Sequence, residues 1–522
     1  MADALDVIGD PDDPSTWECR SGNEGCAPWN IFQAGGVTRE ALDYIMMNMV
    51  LDSGTRTEMV SGMLNGDLAE WGLKLPTATE GIRIALGADY RSEMLYIHPD
   101  DNWESGNGSG QGYPTVRIDG SYHVAEIYLE GLVPIVQDSR GAQDLSLELG
   151  YRASDYNLAG SHPTWKAQLS YAPIAGVKFR GGVAHAVRAP NGGELFSPQG
   201  LSIGYQDPCA NDPDTGVPEA TLEECVRTGV RPEQYGHIPA APPYGNNYIF
   251  GGNPALDPES GDTLTAGIVL TPRGAPGLSA TVDYYDIQME DTISSFSPED
   301  IIWECMESGD PLVCGLIHRD AAGTLWLTPD SYVLAINQNI GALASRGVDL
   351  NFSYLLPVDG AGILNLGLVG TYLMESSVET PFFAVDCAGY FGNSCGVPMP
   401  WWRHRFVATW ETTFDTVFSL GWRFIGPSTN DDASPDPELG DPGSIEAWKA
   451  SGAYELHAYS YLDLSATYDF TSGIQLTAGI NNIFDIEPPL GPGLWAVDYG
   501  PGFLGMYDPW GRFIYTSMRF DF

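Results

Sequence analysis

The chain has 522 residues, with 69 acidic and 24 basic side chains and a formal net charge of −45. So acidic a chain excludes a nucleic-acid partner, because phosphate backbones are held by Lys and Arg. Charged residues make up only 18% and hydrophobic residues 43%, yet no apolar run approaches the ~20 residues that a membrane-spanning helix needs.

The first residues, MADALDVIGDPDDPSTWEC, carry neither a basic n-region nor an apolar h-region and are not read as a signal peptide. VTREALDYIMMNMVLD (37–52) predicts a short helix with Thr38 as its N-cap, packed on its own loop. From residue 57 the pattern changes to a period of two. Strands are predicted at 57–72, 80–97, 118–136, 143–156, 162–172, 175–188, 259–272, 278–291, 331–356, 361–376, 401–413, 415–428, 455–469, 472–484 and 510–522. In LSLELGYR, Leu145, Leu147, Leu149 and Tyr151 oppose Ser146, Glu148, Gly150 and Arg152. In LDLSATYDF, Leu462, Leu464, Ala466, Tyr468 and Phe470 oppose Asp463, Ser465, Thr467 and Asp469. The alternation persists to the end of the chain in GRFIYTSMRFDF.

The polar parity carries Glu, Asp and Arg, which are costly in a dry core. It therefore meets water, and the apolar parity meets something greasy. Two architectures fit this: a water-filled barrel in lipid, or a soluble two-sheet sandwich with its apolar faces inward. The connections separate them. DSRG (138–141), APIAG (172–176), PRGAPG (272–277), PVDGAG (357–362) and FTSG (470–473) are short, whereas 189–258, 292–330, 377–400, 429–454 and 485–509 are long. Such asymmetry predicts an all-β fold, an antiparallel transmembrane barrel with short turns on one side and long loops on the other.

The eight cysteines lie as close pairs, Cys19 with Cys26, Cys209 with Cys225, Cys305 with Cys314 and Cys387 with Cys395. None has a CxxC spacing, so proximity predicts four local disulfides in an oxidising compartment and no zinc site. Each pair falls in a long connection or in the N-terminal stretch, none in a short turn. The division expected is 1–56 as an outer-loop segment and 57–522 as barrel. About fifteen strands are present where single-chain barrels have an even number. The N-terminal part of the barrel is therefore expected to be missing.

Catalytic chemistry finds no support. The eight His form no HExxH, and the Gly-rich GNGSGQG (106–112) lacks a following GK[ST]. No catalytic residue, metal or cofactor is assigned. The acidic TNDDASPDPELGDPGSIE (429–446) lacks the spacing of a calcium loop and is read as a solvated loop, bridged by divalent ions to lipopolysaccharide phosphates. Trp401 and Trp402 are candidates for stacking on a ligand, with membership of an interfacial aromatic girdle as the alternative.

Several separated stretches resemble, in order, the C-terminal barrel of TonB-dependent outer-membrane receptors. They are CAPWNIFQAGGVTREALDYI (26–45), ALGADYRSE (85–93), AHAVRAPNGGELFSPQG (184–200), GGNPALDPESGDTLTAGIVLTP (251–272), VDYYDIQMEDTI (282–293), QNIGALASRGVDLNFSY (338–354) and AGINNIFDIEPP (478–489), with Phe522 last. The resemblance implies a barrel of twenty-two strands around a plug, of which this chain holds the C-terminal strands and no plug. It implies Phe522 as the signal read by the barrel-assembly machinery. It also places Arg188 and Glu194 at the outer rim, facing plug and vestibule or simply packing the rim. The implied activity is energy-coupled uptake of a large scarce solute such as a siderophore, cobalamin or an oligosaccharide. The implied partners are outer-membrane lipid and lipopolysaccharide, that ligand, and TonB through the plug alone. A passive porin, a secreted glycan-binding β-protein and an outer-membrane hydrolase are the rival readings.

Overall fold

The structure is a computed structural model that describes residues 2–106, 108, 114–242, 245–381, 383–470, 473–489, 503 and 505–520. Its main sheet has sixteen strands, one of which, the short Ala384–Asp386, lies off the main path; the other fifteen follow one another in chain order. They are β1 (Leu51–Asp67), β2 (Arg83–Pro99), β3 (Ile118–Ser139), β4 (Ala142–Tyr156), β5 (Gly160–Ile174), β6 (Val177–Arg188), β7 (Glu259–Leu270) and β8 (Leu278–Ser294). After these come β9 (Gln338–Val358), β10 (Gly362–Glu379), β11 (Trp402–Thr412), β12 (Thr416–Ile425), β13 (Tyr459–Phe470), β14 (Ile474–Asn481) and β15 (Phe513–Phe520). Every neighbouring pair is antiparallel. Pro134, which has no N–H to give the ladder, sits where the β3–β4 register shifts. Since β1 and β15 run in the same direction, a ladder between them would be parallel, unlike every other pair in the sheet.

The apolar parity points away from the enclosed side. Ile127, Leu129, Leu149, Leu169, Phe179, Val282, Phe418 and Leu464 are all exposed, Leu129 at 52% and Leu464 at 46%. The opposite parity bounds a cavity of about 690 Å³ that includes Glu126, Glu130, Arg152 and Lys166 in its wall. Two packed sheets would instead bury the apolar parity in a shared core. Among the described residues the buried apolar clusters lie in the loops and at the strand ends that meet them, not between strand faces. The sandwich is thereby excluded.

The long-loop end is where the structure adds most to the sequence reading. Residues 200–205, 246–251, 317–318 and 332–336 form a four-stranded sheet, with 246–251 and 332–336 parallel. Helices Leu222–Arg227, Pro298–Ser308 and Pro311–Cys314 pack beside it. The first is closed by a capping box of Thr221 and Glu224, and the second by Ser297 ahead of Pro298. Tyr205, Ile238, Ile301, Ile302, Leu325 and Val333 make a dry core. This larger cap is stapled by the Cys209–Cys225 and Cys305–Cys314 disulfides. The predicted strand 331–356 is thus two elements broken at Asn337, the first belonging to the cap and the second to the wall.

A smaller cap joins Tyr390–Phe391, Ser428–Asn430 and Glu455–Leu456. Here the acidic loop is anchored rather than merely solvated. Asp431 is fully buried and accepts hydrogen bonds from the backbone N–H groups of Asn393, Ser394 and Cys395 at 3.1, 2.8 and 2.8 Å. Burial pushes its carboxyl above the usual Asp value, and the amides of Cys395 and Ser394 pull it part of the way back. The remaining disulfides, Cys19–Cys26 and Cys387–Cys395, lie in the N-terminal stretch and in this cap. The predicted helix after Thr38 is present at Arg39–Ile45, with the Thr38 hydroxyl accepting from the Ala41 N–H.

Candidate functional site

Antiparallel pairing in register brings the charges of the polar parity side by side on the enclosed face. Arg152 on β4 lies 3.0 Å from Glu126 on β3 and 3.7 Å from Asp89 on β2. Lys166 on β5 reaches Glu130 at 3.3 Å and Glu148 at 2.8 Å. Arg180 on β6 forms a bidentate pair with Asp283 on β8, at 2.7 and 2.6 Å. Arg423 on β12 joins Asp463 on β13 and Asp508 in the loop before β15, at 3.1 and 2.5 Å. The wall is therefore laced with cross-strand ion pairs, and its acidic groups are in large part spoken for. Tyr128 completes the patch, with the Arg152 guanidinium 4.6 Å over its ring.

Arg188 and Glu194 come together at the long-loop rim. Arg188 donates to both oxygens of Glu194, each at 3.0 Å, and to both oxygens of Glu259 at 2.5 and 2.7 Å. Asn191 and Glu194 close a reciprocal capping box at the start of Gly192–Phe196. Glu259, almost wholly buried, also accepts from the Ile293 N–H at 2.7 Å. One guanidinium thus ties the departing loop to the start of β7 and the end of β8. Glu259 was not singled out in the sequence, although it lies in the stretch LDPESGD. Its partner can be identified only once β6 and β7 are placed in register, Arg188 opposite Glu259. Replacing Arg188 by Ala is expected to loosen residues 189–200 by about 1–3 kcal/mol, a range reduced by the guanidinium's contact with water. Limited proteolysis should then cut that stretch faster while the caps keep their disulfides.

Trp401 and Trp402 do not form one platform. Trp402 lies on the outward parity opposite Tyr372 and donates its indole N–H to His404 Nδ1 at 2.8 Å. His404 in turn stacks on Phe424 and meets Trp422 edge-on. This is an outward aromatic group of the kind found in interfacial girdles. Trp401 is on the other parity, and a Cβ at Gly389 would collide with its indole; Gly389 also has a φ of +87°. Phe522 lies outside the described residues.

Two further inward side chains, Arg403 and Arg405 on β11, were not singled out in the sequence. Their signal was present in WWRHRF, where both fall on the polar parity. Among the described residues there is no cluster of His, Cys, Asp and Glu able to hold a metal ion.

Residues 20–483 match the family described as "TonB dependent receptor-like, beta-barrel". The chain belongs to this family of receptor and transport proteins and is a β-barrel protein of the Gram-negative outer membrane. No curated protein matches it. Among solved structures, it is similar to a ferric enterobactin receptor of Pseudomonas aeruginosa, with a TM-score of 0.57 and 18% identity over 89% of this chain and 54% of that one. It is also similar to the siderophore receptor PirA of Acinetobacter baumannii, with a TM-score of 0.55 and 15% identity over 90% and 55% of the two chains. The chain thus spans about half the length of these proteins, and at such identities the likeness concerns the fold alone.

Proposed function

We propose that this chain is the wall and outer vestibule of a receptor for energy-coupled uptake of a large scarce solute such as a siderophore, cobalamin or an oligosaccharide. The proposed division is 1–56 as an outer-loop segment and 57–522 as the barrel, with the first wall strand reaching back into the former as far as Leu51. The observation that carries this reading is the cavity on the polar face, walled by paired charges, together with the two disulfide-stapled caps built from the long loops. A passive porin has no need of caps with their own hydrophobic cores. The work is binding, not bond breaking, so no residue is given a catalytic role. Coupling to TonB is assigned to a plug domain and not to the strands described here. Lipid and lipopolysaccharide meet the outward parity, and Phe522 is the residue assigned to the barrel-assembly machinery.

The test is a growth competition between cells with and without the intact gene, in TonB-competent and TonB-deficient backgrounds. Iron chelate, cobalamin or an oligosaccharide is supplied as the limiting nutrient. The proposal expects an advantage for one nutrient that disappears without TonB. An equal advantage in both backgrounds would point to a passive pore, and no advantage for any nutrient would contradict the receptor reading.

A further inference from the structure

We propose that Arg403 and Arg405 are the anion-binding element of the lumen wall, and that the solute is a small compound carrying two or more negative charges. The inference rests on the receptor reading above and narrows its ligand. Arg403 and Arg405 are exposed on the enclosed face of β11, two residues apart on one parity. Arg405 stands directly opposite Arg423 on β12. Like charges placed opposite each other destabilise a sheet. For Arg423 that cost is relieved, because Asp463 and Asp508 hold it. Among the described residues neither Arg403 nor Arg405 has a carboxylate within ion-pair distance.

Such a pair is out of place in a chain with 69 acidic residues and 24 basic ones. Elsewhere on this wall, Arg152, Lys166 and Arg180 each have carboxylate partners. Across the strand, Arg403 faces Thr371, whose hydroxyl is donated to Asp349 at 2.7 Å. Arg405 faces Val369. Both arginines line a cavity of about 410 Å³ beneath Gly505 and Met506, and Arg403 also lines an adjoining one of about 240 Å³ beneath Pro398 and Met399. Two guanidinium groups at the edge of a cavity offer forked donors that match carboxylate, phosphate or an anionic metal chelate. Local rules are broken at functional sites more than elsewhere, and two uncompensated like charges break one here.

The test uses the full chain in lipid nanodiscs, with calorimetry and tryptophan fluorescence as readouts. The probes are citrate, ferric citrate, inorganic phosphate and the neutral sugar maltotriose. The proposal expects at least one anion to bind, more weakly as salt is raised, and R403A/R405A to weaken it by about tenfold or more. R403K/R405K should recover part of the loss, since it restores charge without the fork. Ferric citrate binding without citrate binding would identify an anionic chelate as the ligand; citrate or phosphate binding would show that free anionic groups suffice. Because both arginines are exposed and without ion partners among the described residues, the alanine variant should keep its fold, checked by unchanged hydrogen exchange in the caps. Equal anion affinity in wild type and R403A/R405A would overturn the proposal. So would a failure of every anion to bind. Maltotriose binding in the absence of anion binding would overturn it while leaving the receptor reading intact.

Discussion

Asp207→Ala is expected to unfold the larger cap while leaving the barrel strands in place. Asp207 and Arg319 form a bidentate pair at 3.0 and 2.6 Å, with side chains only 1% and 4% exposed. The remaining Arg319 donors are satisfied by Thr228 O, Thr228 Oγ1 and Gly323 O, at 3.1, 3.0 and 2.9 Å. Asp207 also accepts from the Cys209 N–H at 3.1 Å. Removing the carboxylate strands a guanidinium away from water, which costs about 3–5 kcal/mol when a buried pair is broken from one side. The pair ties the Cys209 loop to the segment just after Ile317–His318, so its loss should separate the two connections from which the cap is built. Hydrogen exchange should rise across 298–308 and 332–336 and stay unchanged across 143–156. The double variant D207A/R319M should regain much of the protection, because the unpaired charge is gone. Unchanged exchange in the single variant would show that the pair does not hold the cap.

The second large effect concerns the outward face. Leu464→Arg places a charge on the parity that contacts hydrocarbon, halfway along β13, whereas Ser465→Arg places the same charge on the enclosed side, opposite Ser419 and Gly479. The first should destabilise the folded barrel by about 2–4 kcal/mol and the second by far less, since only the midplane of the lipid face penalises Arg so heavily. Urea titration of the chain in lipid vesicles, followed by tryptophan fluorescence, measures the difference. Equal losses at 464 and 465 would contradict the assignment of faces.

The wall was legible in the sequence because a single physical constraint acts on every strand. Leu145, Leu147, Leu149 and Tyr151 alternate with Ser146, Glu148, Gly150 and Arg152 because one side meets lipid and the other water, and that rule needs no knowledge of neighbours. The disulfides were legible for a similar reason: each joins residues close in sequence, at separations of 7, 16, 9 and 8. The caps were not. Their sheet brings 200–205 together with 246–251 and 332–336, and 332–336 follows a second long connection. A strand of five or six residues has too little alternation to stand out within a loop rich in Pro, Gly and Asp. The rim clamp was half legible: Arg188 and Glu194 were singled out, but Glu259 lies 71 residues from Arg188. Arg403 and Arg405 were missed because an unpaired charge is defined by the absence of partners, which only the assembled wall reveals.

The most direct test of the whole account is the orientation of the two parities along a single strand. Single cysteines introduced at 462 to 467 would be spin-labelled with the native disulfides intact, and the protein placed in bilayers. Accessibility to dissolved oxygen, which concentrates in hydrocarbon, should peak at Leu462, Leu464 and Ala466, and accessibility to a water-soluble nickel chelate should peak at Asp463, Ser465 and Thr467. Oxygen accessibility that failed to alternate, or that peaked at the odd positions, would contradict a barrel with a greasy outside and a wet interior.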